Sequence, residues 1–380
     1  MPHPLCSLEA LPTPSALVEF SRLEANCRRM AERARHWGVG LRPHVKTHKT
    51  VQAARLQLAG LPPRITVSTL AEATFFAGAG FEDITYAVPL APQRLPQALE
   101  LAARIPRFTA VVDHEDTAQE AATAAAARGV RLSVLLEVDC GAHRCGVDPL
   151  HPSSVALAER LARSPHLDFC GVLTHAGHAY VCRTAAELAR VATQERDVTG
   201  AFAQRLRQAG IGVREVSIGS TPTLCAVDHL AGVTEVRPGN YVFFDAFQAA
   251  LGSCTLDQCA FTVLATVIGC YPQRRTLVLD AGALALSRDP GPTHLRPDCG
   301  FGVVCTVDGC QPIAGFTLAA LTQEHGTVLA AEGAVAAAYP PGSRLRIIPN
   351  HACLAAACFD AYHVVDGEHV VDLWRPCRGW

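Results

Sequence analysis

A regular alternation of short apolar runs with helical stretches fills the first 250 residues, and it constrains the fold more than any other feature. Short runs of β-branched and apolar residues, bounded by turn residues, are typical of buried strands. Eight such runs lie at 38–44, 64–69, 84–89, 108–113, 132–139, 168–175, 215–220 and 233–239.

Stretches of helical period separate these runs, for example residues 21–37 and 119–129. Eight strand–helix units that close on themselves form a (β/α)8 barrel of the TIM type. We therefore predict an α/β fold with an N-terminal barrel over residues 15–250. An open, doubly wound sheet is the alternative, because periodicity does not report whether the first and last strands pair.

The pattern changes after about residue 250. Strand-like runs such as FTVLATVIG, TLVLDAG, FGVVCTV and RLRIIP are separated there by Gly, Pro and Asp turns, with little helical period. This part of the chain, residues 251–380, is predicted to form a β-rich second domain.

Composition and charge exclude several classes of partner. The formal net charge of −2 gives no basis for binding nucleic acid or an anionic membrane surface. No run approaches the roughly 18 apolar residues of a membrane span, and no signal peptide is visible at the N-terminus. The 16 cysteines are scattered singly without a CxxC pair, which is typical of reduced, buried thiols. We expect a cytoplasmic enzyme.

The strongest local signal is the basic segment RPHVKTHKT, residues 42–50, at the end of the first predicted strand. On the catalytic rim of a barrel, such a cluster of basic residues is difficult to explain by packing alone. A lysine among other cations loses its proton more easily, as an imine-forming amine must. Arg42, His44, His48 and Lys49 are expected to supply that charge around Lys46. A solvated basic turn is the alternative.

Two turns are candidates for holding a phosphate group. In TIM barrels a phosphate commonly lies on the loops after strands seven and eight, which here are SIGSTPT (217–223) and RPGNY (237–241). Gly, Ser, Thr and Asn also favour plain turns, but two such turns at these positions favour a phosphate site. The candidate residues are Gly219, Ser220 and Thr221 in the first turn and Gly239, Asn240 and Tyr241 in the second.

The segment PNHAC contains a candidate pair of metal ligands, His351 and Cys353. The two residues are two positions apart, so their side chains project from one face if the segment is extended. Imidazole and thiolate together favour Zn²⁺ over Mg²⁺ or Mn²⁺. Two ligands alone are a weak metal signature, although a catalytic site leaves positions open for water and substrate.

RPHVKTHKT resembles the lysine motif of the fold-type III pyridoxal-phosphate enzymes, in the branch of D-serine dehydratases and D-threonine aldolases. The resemblance implies a pyridoxal 5'-phosphate cofactor bound through Lys46, a barrel like that of alanine racemase, a β-rich domain of residues 1–14 plus 251–380, and a homodimer. Further segments match the family in the same order: LPTP (11–14), VSTLAEATFFAGAGFEDI (67–84), SIGSTPT (217–223), RPGNYVFFD (237–245), LTQEHG (321–326), IPNHAC (348–353) and the terminal RPCRGW.

The resemblance further implies roles for two residues outside the basic segment. Arg144 matches an arginine that contacts the phenolic oxygen of the cofactor or nearby ring atoms, where a permanent cation stabilises an oxyanion. A surface salt bridge is the alternative for Arg144. Tyr180 matches a tyrosine that lies against the cofactor ring. His175 and His178 lie in the same loop as Tyr180, and each is either a proton carrier, a hydrogen-bond partner or a structural residue.

The metal motif separates the activities within the family. In the D-serine dehydratase branch the pair is His and Cys with zinc, whereas D-threonine aldolases typically have an aspartate and a harder metal. Cys353 therefore favours a pyridoxal-phosphate- and zinc-dependent D-serine dehydratase, which forms pyruvate and ammonia from a small D-hydroxyamino acid. The alternatives are a metal-dependent D-threonine or 3-hydroxyaspartate aldolase, an alanine-racemase-like enzyme, and a non-catalytic cofactor carrier.

Overall fold

The structure, a computed structural model, describes residues 5–334 and 336–380. The chain divides into two compact units. The first unit, called the barrel unit below, is Arg29–Gly239 together with Cys377–Trp380; the second, called the β unit, is the segment up to Arg28 together with Asn240–Pro376. Residues 1–4, with which the predicted 1–14 segment begins, lie outside the described residues.

The strands, in chain order, are β1 Cys6–Ser7, β2 Ser15–Glu19, β3 Gly40–Leu41, β4 Arg64–Val67, β5 Asp83–Pro89, β6 Arg107–Val112, β7 Leu132–Glu137, β8 Leu167–Leu173, β9 Glu215–Ile218, β10 Glu235–Val236, β11 Phe261–Tyr271, β12 Thr276–Leu279, β13 Gly302–Cys305, β14 Phe316–Leu321, β15 Gly326–Ala330, β16 Arg344–Pro349, β17 Tyr362–Asp366 and β18 His369–Trp374. The α-helices are α1 Phe20–His36, α2 Val51–Gln57, α3 Leu70–Gly78, α4 Leu95–Arg104, α5 Glu115–Arg128, α6 Pro152–Arg163, α7 Ala185–Gln208, α8 Thr221–Ala226, α9 Ala246–Ala250, α10 Ala283–Leu286 and α11 Ala352–Ala357. No helix among the described residues is both long and apolar enough to cross a membrane.

Strands β3 to β10 form one eight-stranded parallel sheet in the barrel unit. The last strand, β10, pairs with the first, β3, and a parallel bridge between His44 and Thr66 joins the end of β3 to β4. These pairings nearly close the sheet, so the predicted TIM-type barrel is confirmed and the open-sheet alternative is wrong. The carboxyl ends of all eight strands therefore lie on one rim, where barrel active sites are found.

Sequence periodicity explains how the helices pack on this barrel. Helix α4 buries Leu95, Ala98, Leu99 and Leu101, whose spacing of three and four residues puts them on one face. Helix α5 ends where Gly129 adopts a left-handed conformation with φ of 64°, which glycine adopts without steric strain. The apolar faces of these helices and the strands form one continuous buried core.

An ion-pair network lies at the amino-terminal end of the barrel strands. Arg42 is completely buried and pairs with Asp83 at 2.5 Å and with Glu235 at 2.8 Å. Arg107 pairs with Glu215 in the same region. Because the opposite rim of a barrel carries the catalytic groups, charged residues at this end are expected to act on stability.

The end of the chain is part of the barrel unit. The backbone N–H of Cys377 donates to the carbonyl oxygen of Lys49 at 2.8 Å, and its thiol lies 3.8 Å from the carbonyl oxygen of Ala71. The terminal RPCRGW motif is therefore bonded to the loop that contains Lys46.

The β unit contains a second, antiparallel-rich sheet, as predicted for the C-terminal part. The early strand β2 lies between β11 and β17, so the segment that precedes the barrel completes this sheet. Asp280 accepts hydrogen bonds from the hydroxyl of Thr13 at 2.5 Å and from the backbone N–H of Thr266 at 2.8 Å. Asp280 thus ties the early segment to β11. The sequence pattern did not predict the short helices α9, α10 and α11.

Candidate active site

Lys46 lies on the carboxyl rim of the barrel, in a 3₁₀ turn formed by Val45–Thr47 directly after β3. Its side chain is exposed. The ring of His44 accepts a hydrogen bond from the backbone N–H of Lys46 at 3.4 Å and lies 3.5 Å from the hydroxyl of Ser68. His44 therefore caps the short turn that presents the lysine.

Most of the neighbours of Lys46 in the sequence do not place a free positive charge beside it. The guanidinium of Arg42 points to the other end of the barrel and is paired there, and Lys49 pairs with the buried Glu72 at 3.0 Å. Burial lowers the pKa of His48 to about 4, and its ring bonds to Gln57 at 2.9 Å, so it is neutral at pH 7. The predicted crowding by these three residues is therefore wrong.

Other cations supply positive charge at the rim. Burial, followed by the charges of Lys46, Arg237 and His175, holds the pKa of His44 well below its usual range. Burial and the charges of Lys46 and Arg144 lower the pKa of His175 to about 3. Both imidazoles are consequently neutral at pH 7, while the lysine and two arginines next to them make the rim a site for an anion.

Arg237 was not predicted as a site residue, although it lies in the RPGNY segment directly after β10. Its side chain is buried and donates to the hydroxyl of Ser217 and to the carbonyl oxygen of Thr174, each at 2.6 Å. Burial lowers its pKa to about 10, with the charge of Glu235 opposing the shift, so it remains protonated at pH 7. Only the three-dimensional neighbours distinguish it from a surface arginine.

Arg144 and Tyr180 lie in loops that follow β7 and β8 respectively. The side chain of Arg144 is 60% exposed and lies 3.8 Å from Glu137, which leaves it accessible. Tyr180 is half-buried in a 3₁₀ turn formed by Gly177–Val181. Their contacts with a cofactor stay predictions.

The first predicted phosphate turn follows β9 and is held by side chains of the barrel unit. Gly219 has φ of 119°, a conformation that favours glycine, and its N–H donates to Glu195 at 3.1 Å. The N–H of Ser220 donates to the hydroxyl of Thr223 at 3.1 Å, and Ser220 caps the helix that starts at Thr221. These two amides are bonded within the chain, and the role of the turn in phosphate binding stays a prediction.

The second predicted turn depends on a close approach of two backbone segments. A Cβ atom added to Gly239 would lie 2.9 Å from the carbonyl oxygen of His44, so a larger residue would push the lysine loop away. Asn240 and Tyr241 follow in the β unit, where both are buried.

The predicted metal ligands lie in the β unit and contact each other. His351 has an extended backbone, whereas Cys353 is already in the first turn of α11, so the segment is not extended throughout. Although burial opposes it, Cys353 and Asp289 raise the pKa of His351 to about 11. The Nδ1 atom of His351 lies 3.1 Å from Asp289, which was not predicted as a site residue.

A buried acid supports this pair from the other side. Asp245 accepts hydrogen bonds from the backbone N–H of Ala352 at 2.9 Å and from the amide of Asn240 at 2.7 Å. The same amide of Asn240 lies 3.8 Å from the sulfur of Cys353. Within the described ranges, no three His, Cys, Asp or Glu side chains are grouped as a ready metal site. The pair nevertheless offers one nitrogen and one sulfur donor of the kind that zinc prefers.

Residues 18–246 match the alanine racemase N-terminal domain, and residues 260–365 match a putative serine dehydratase domain. The chain belongs to the fold-type III pyridoxal-phosphate enzymes. Within this family it is 42% identical to a D-threo-3-hydroxyaspartate dehydratase of Delftia sp. (strain HT23), over 98% of this chain and 99% of that protein. It is 37% identical to a D-serine dehydratase of Dictyostelium discoideum, over 97% and 98%.

A D-threonine aldolase of Arthrobacter sp. is 31% identical to this fold-type III chain, over 98% of this chain and 94% of the aldolase. The solved structure of the Delftia dehydratase superimposes with a TM-score of 0.94 at 41% identity, covering 98% of this chain and 100% of that one. Similar solved structures also include a D-threo-3-hydroxyaspartate dehydratase as a cysteine-to-alanine variant in a metal-free form and as a histidine-to-alanine variant. The relatives are therefore dehydratases and aldolases, and this chain is a pyridoxal-phosphate-dependent lyase.

The rim of the barrel fits the cofactor of a fold-type III enzyme. Pyridoxal phosphate is an anion with an aldehyde, so its site needs positive charge and an amine. Lys46 supplies an exposed amine, and Arg237 supplies a permanent cation whose charge acts on both His44 and His175. Arg144 supplies a second cation, whose charge acts on His175. The missing side chain of Gly239 keeps the second turn against the lysine loop.

Proposed function

We propose that this protein is a zinc-assisted dehydratase of small D-3-hydroxyamino acids, with D-serine as a substrate that it converts to pyruvate and ammonia. The observation that carries the proposal is the contact between His351 and Cys353, which pairs an imidazole with a thiol in the β unit. That donor set suits zinc, whereas an aspartate in place of the cysteine would suit a harder metal.

The proposed roles follow from the chemistry of each residue. Bound pyridoxal phosphate supplies an electron sink that makes the α-hydrogen of an amino acid acidic. Lys46 would hold the cofactor and, once released by the substrate amine, take the α-proton. Arg144 and Arg237 would hold negative charge at the rim. His351 and Cys353 would hold zinc, whose Lewis acidity makes a hydroxyl group a better leaving group.

His44 and His175, on the rim, are suited to positioning other groups rather than to acting as general acids. His44 and His175 have pKa values far below 7, so neither carries a proton that it could give up at neutral pH. Each neutral ring can instead donate one hydrogen bond and accept another. We assign the α-proton to Lys46 for this reason.

D-threo-3-hydroxyaspartate is a second candidate substrate, because the Delftia dehydratase that acts on it is 42% identical to this chain. Elimination of water from that substrate, followed by hydrolysis of the resulting imine with release of ammonia, gives oxaloacetate. Cleavage of the Cα–Cβ bond is the competing reaction, since the Arthrobacter D-threonine aldolase is 31% identical. Cys353 supports dehydration over cleavage.

Product identification tests the proposal. Purified protein with pyridoxal phosphate and zinc is incubated with D-serine, D-threo-3-hydroxyaspartate, D-threonine or the L forms. We expect pyruvate and ammonia from D-serine and no turnover of L-serine. Glycine with an aldehyde as the main products would refute the dehydratase proposal. Lys46→Ala serves as the control and should abolish both the bound-cofactor absorbance and turnover.

The homodimer and the cytoplasmic location expected from the sequence stay predictions. Sedimentation equilibrium of the purified protein measures the first directly. Its expected result is a mass of twice 40.4 kDa.

A further inference from the structure

Glu195 lies at the centre of α7, on the outside of the barrel sheet, and is completely buried. One of its carboxylate oxygens, Oε1, accepts the backbone N–H of Ala176 at 2.9 Å and the backbone N–H of Gly219 at 3.1 Å. A buried carboxyl group is unfavourable unless it is hydrogen-bonded, and these two backbone amides provide hydrogen bonds to it.

The two N–H groups belong to different loops of the carboxyl rim. Ala176 follows β8, in the loop that continues to Tyr180, and Gly219 follows β9, in the turn that continues to Ser220 and Thr221. A single oxygen atom therefore links the loop predicted to lie against the cofactor ring with the turn predicted to hold its phosphate.

A second contact joins the same two loops. The Nδ1 atom of His175 lies 3.3 Å from the carbonyl oxygen of Gly219, which accepts its hydrogen bond. Gly219 is thus held through both its N–H and its C=O. Its φ of 119° is a conformation that glycine adopts readily, and any other residue at this position would be strained.

We propose that Glu195 is a positioning residue that fixes the distance between the Tyr180 loop and the Gly219 turn and thereby sets cofactor affinity. The inference rests on the proposed function, because it assumes that both loops hold pyridoxal phosphate. Glu195 itself would touch neither cofactor nor substrate. It acts through the two backbone amides, from the helix behind the rim.

Three substitutions at Glu195 separate positioning from mere stability. Glu195→Gln keeps an oxygen that can accept both amides, Glu195→Asp keeps the charge but is one methylene too short to reach both, and Glu195→Ala removes the acceptor. We expect a dissociation constant for pyridoxal phosphate within about threefold of wild type for Gln and raised about tenfold or more for Asp and Ala. Leu206→Ala, a buried position on the same helix, is the matched control for destabilisation.

Cofactor affinity is measured by titrating the apoenzyme with pyridoxal phosphate and following its absorbance, alongside thermal unfolding of each variant. Leu206→Ala should lower the melting temperature and leave the dissociation constant unchanged. An unchanged dissociation constant in both Asp and Ala variants, or an equal rise in Leu206→Ala, would overturn the inference. A wild-type protein that binds no pyridoxal phosphate would instead refute the proposed function.

Discussion

The buried ion pair between Arg42 and Glu235 gives a stability prediction whose magnitude follows from the structure. Arg42 has no exposed surface, and its Nε atom lies 2.8 Å from Glu235, whose other oxygen accepts the hydroxyl of Ser217 at 2.7 Å. Glu235→Ala removes both interactions and leaves the guanidinium buried with Asp83 as its remaining close partner.

Breaking a buried pair by removing one partner costs about 3–5 kcal/mol. For a unit of 150–250 residues, 1 kcal/mol corresponds to roughly 2–4 °C in melting temperature. Because Asp83 still compensates part of the charge, we expect Glu235→Ala to lower the melting temperature of the protein by roughly 6–12 °C. Circular dichroism during heating measures the shift.

A double substitution tests the physical reason for that loss. Arg42→Met together with Glu235→Leu replaces the pair by apolar side chains, which is often close to neutral, so the double variant should be more stable than Glu235→Ala. The reasoning is refuted if Glu235→Ala melts within 2 °C of wild type (roughly the shift from 1 kcal/mol or less). It also fails if the effects of Arg42→Met and Glu235→Leu simply add, since coupled partners do not act independently.

Further predictions concern metal, terminus and pH. Chelation should remove most dehydratase activity and the metal bound by His351 and Cys353, with zinc restoring activity better than magnesium; elemental analysis by mass spectrometry checks the content. Deleting Cys377–Trp380 removes the hydrogen bond to Lys49 and should weaken cofactor binding, measured by absorbance titration. Burial would raise the pKa of Glu235, but the charge of Arg42 lowers it overall, below the ordinary value of 4.5. The stabilising contribution of Glu235 is therefore complete above pH 4.5 and is lost as the pH falls from there through the lower pKa of the folded state, so Glu235→Gln should flatten the acid side of the melting-temperature profile.

Sequence periodicity predicted the barrel well because each strand and helix carries its own apolar pattern. The predicted strand at 84–89 corresponds to Asp83–Pro89, and the predicted helix at 21–37 corresponds to Phe20–His36. Both signals are local. The pairing of β10 with β3, which closes the sheet, is a long-range contact that no local pattern encodes.

The candidate site was predicted less completely, because buried charged residues have no periodic signature. Arg237 lies within a segment that the sequence singled out, yet its buried side chain and its effect on His44 appear only in three dimensions. Asp289 lies far from His351 in the sequence, so its contact at 3.1 Å could not be inferred. The opposite error arose for Arg42, since adjacency to Lys46 in the sequence did not reveal that its side chain points away.

The position of β2 within the sheet of the β unit has a consequence for synthesis in the cell. Ser15–Glu19 is buried along its whole length, and its partners β11 and β17 begin only at residues 261 and 362. At translation rates of about 5–20 residues per second, the first of these partner strands is synthesised roughly 12–50 s after this segment. During that interval the barrel sequence is synthesised while this strand has no partner, so its edge stays open to aggregation until β11 has been made.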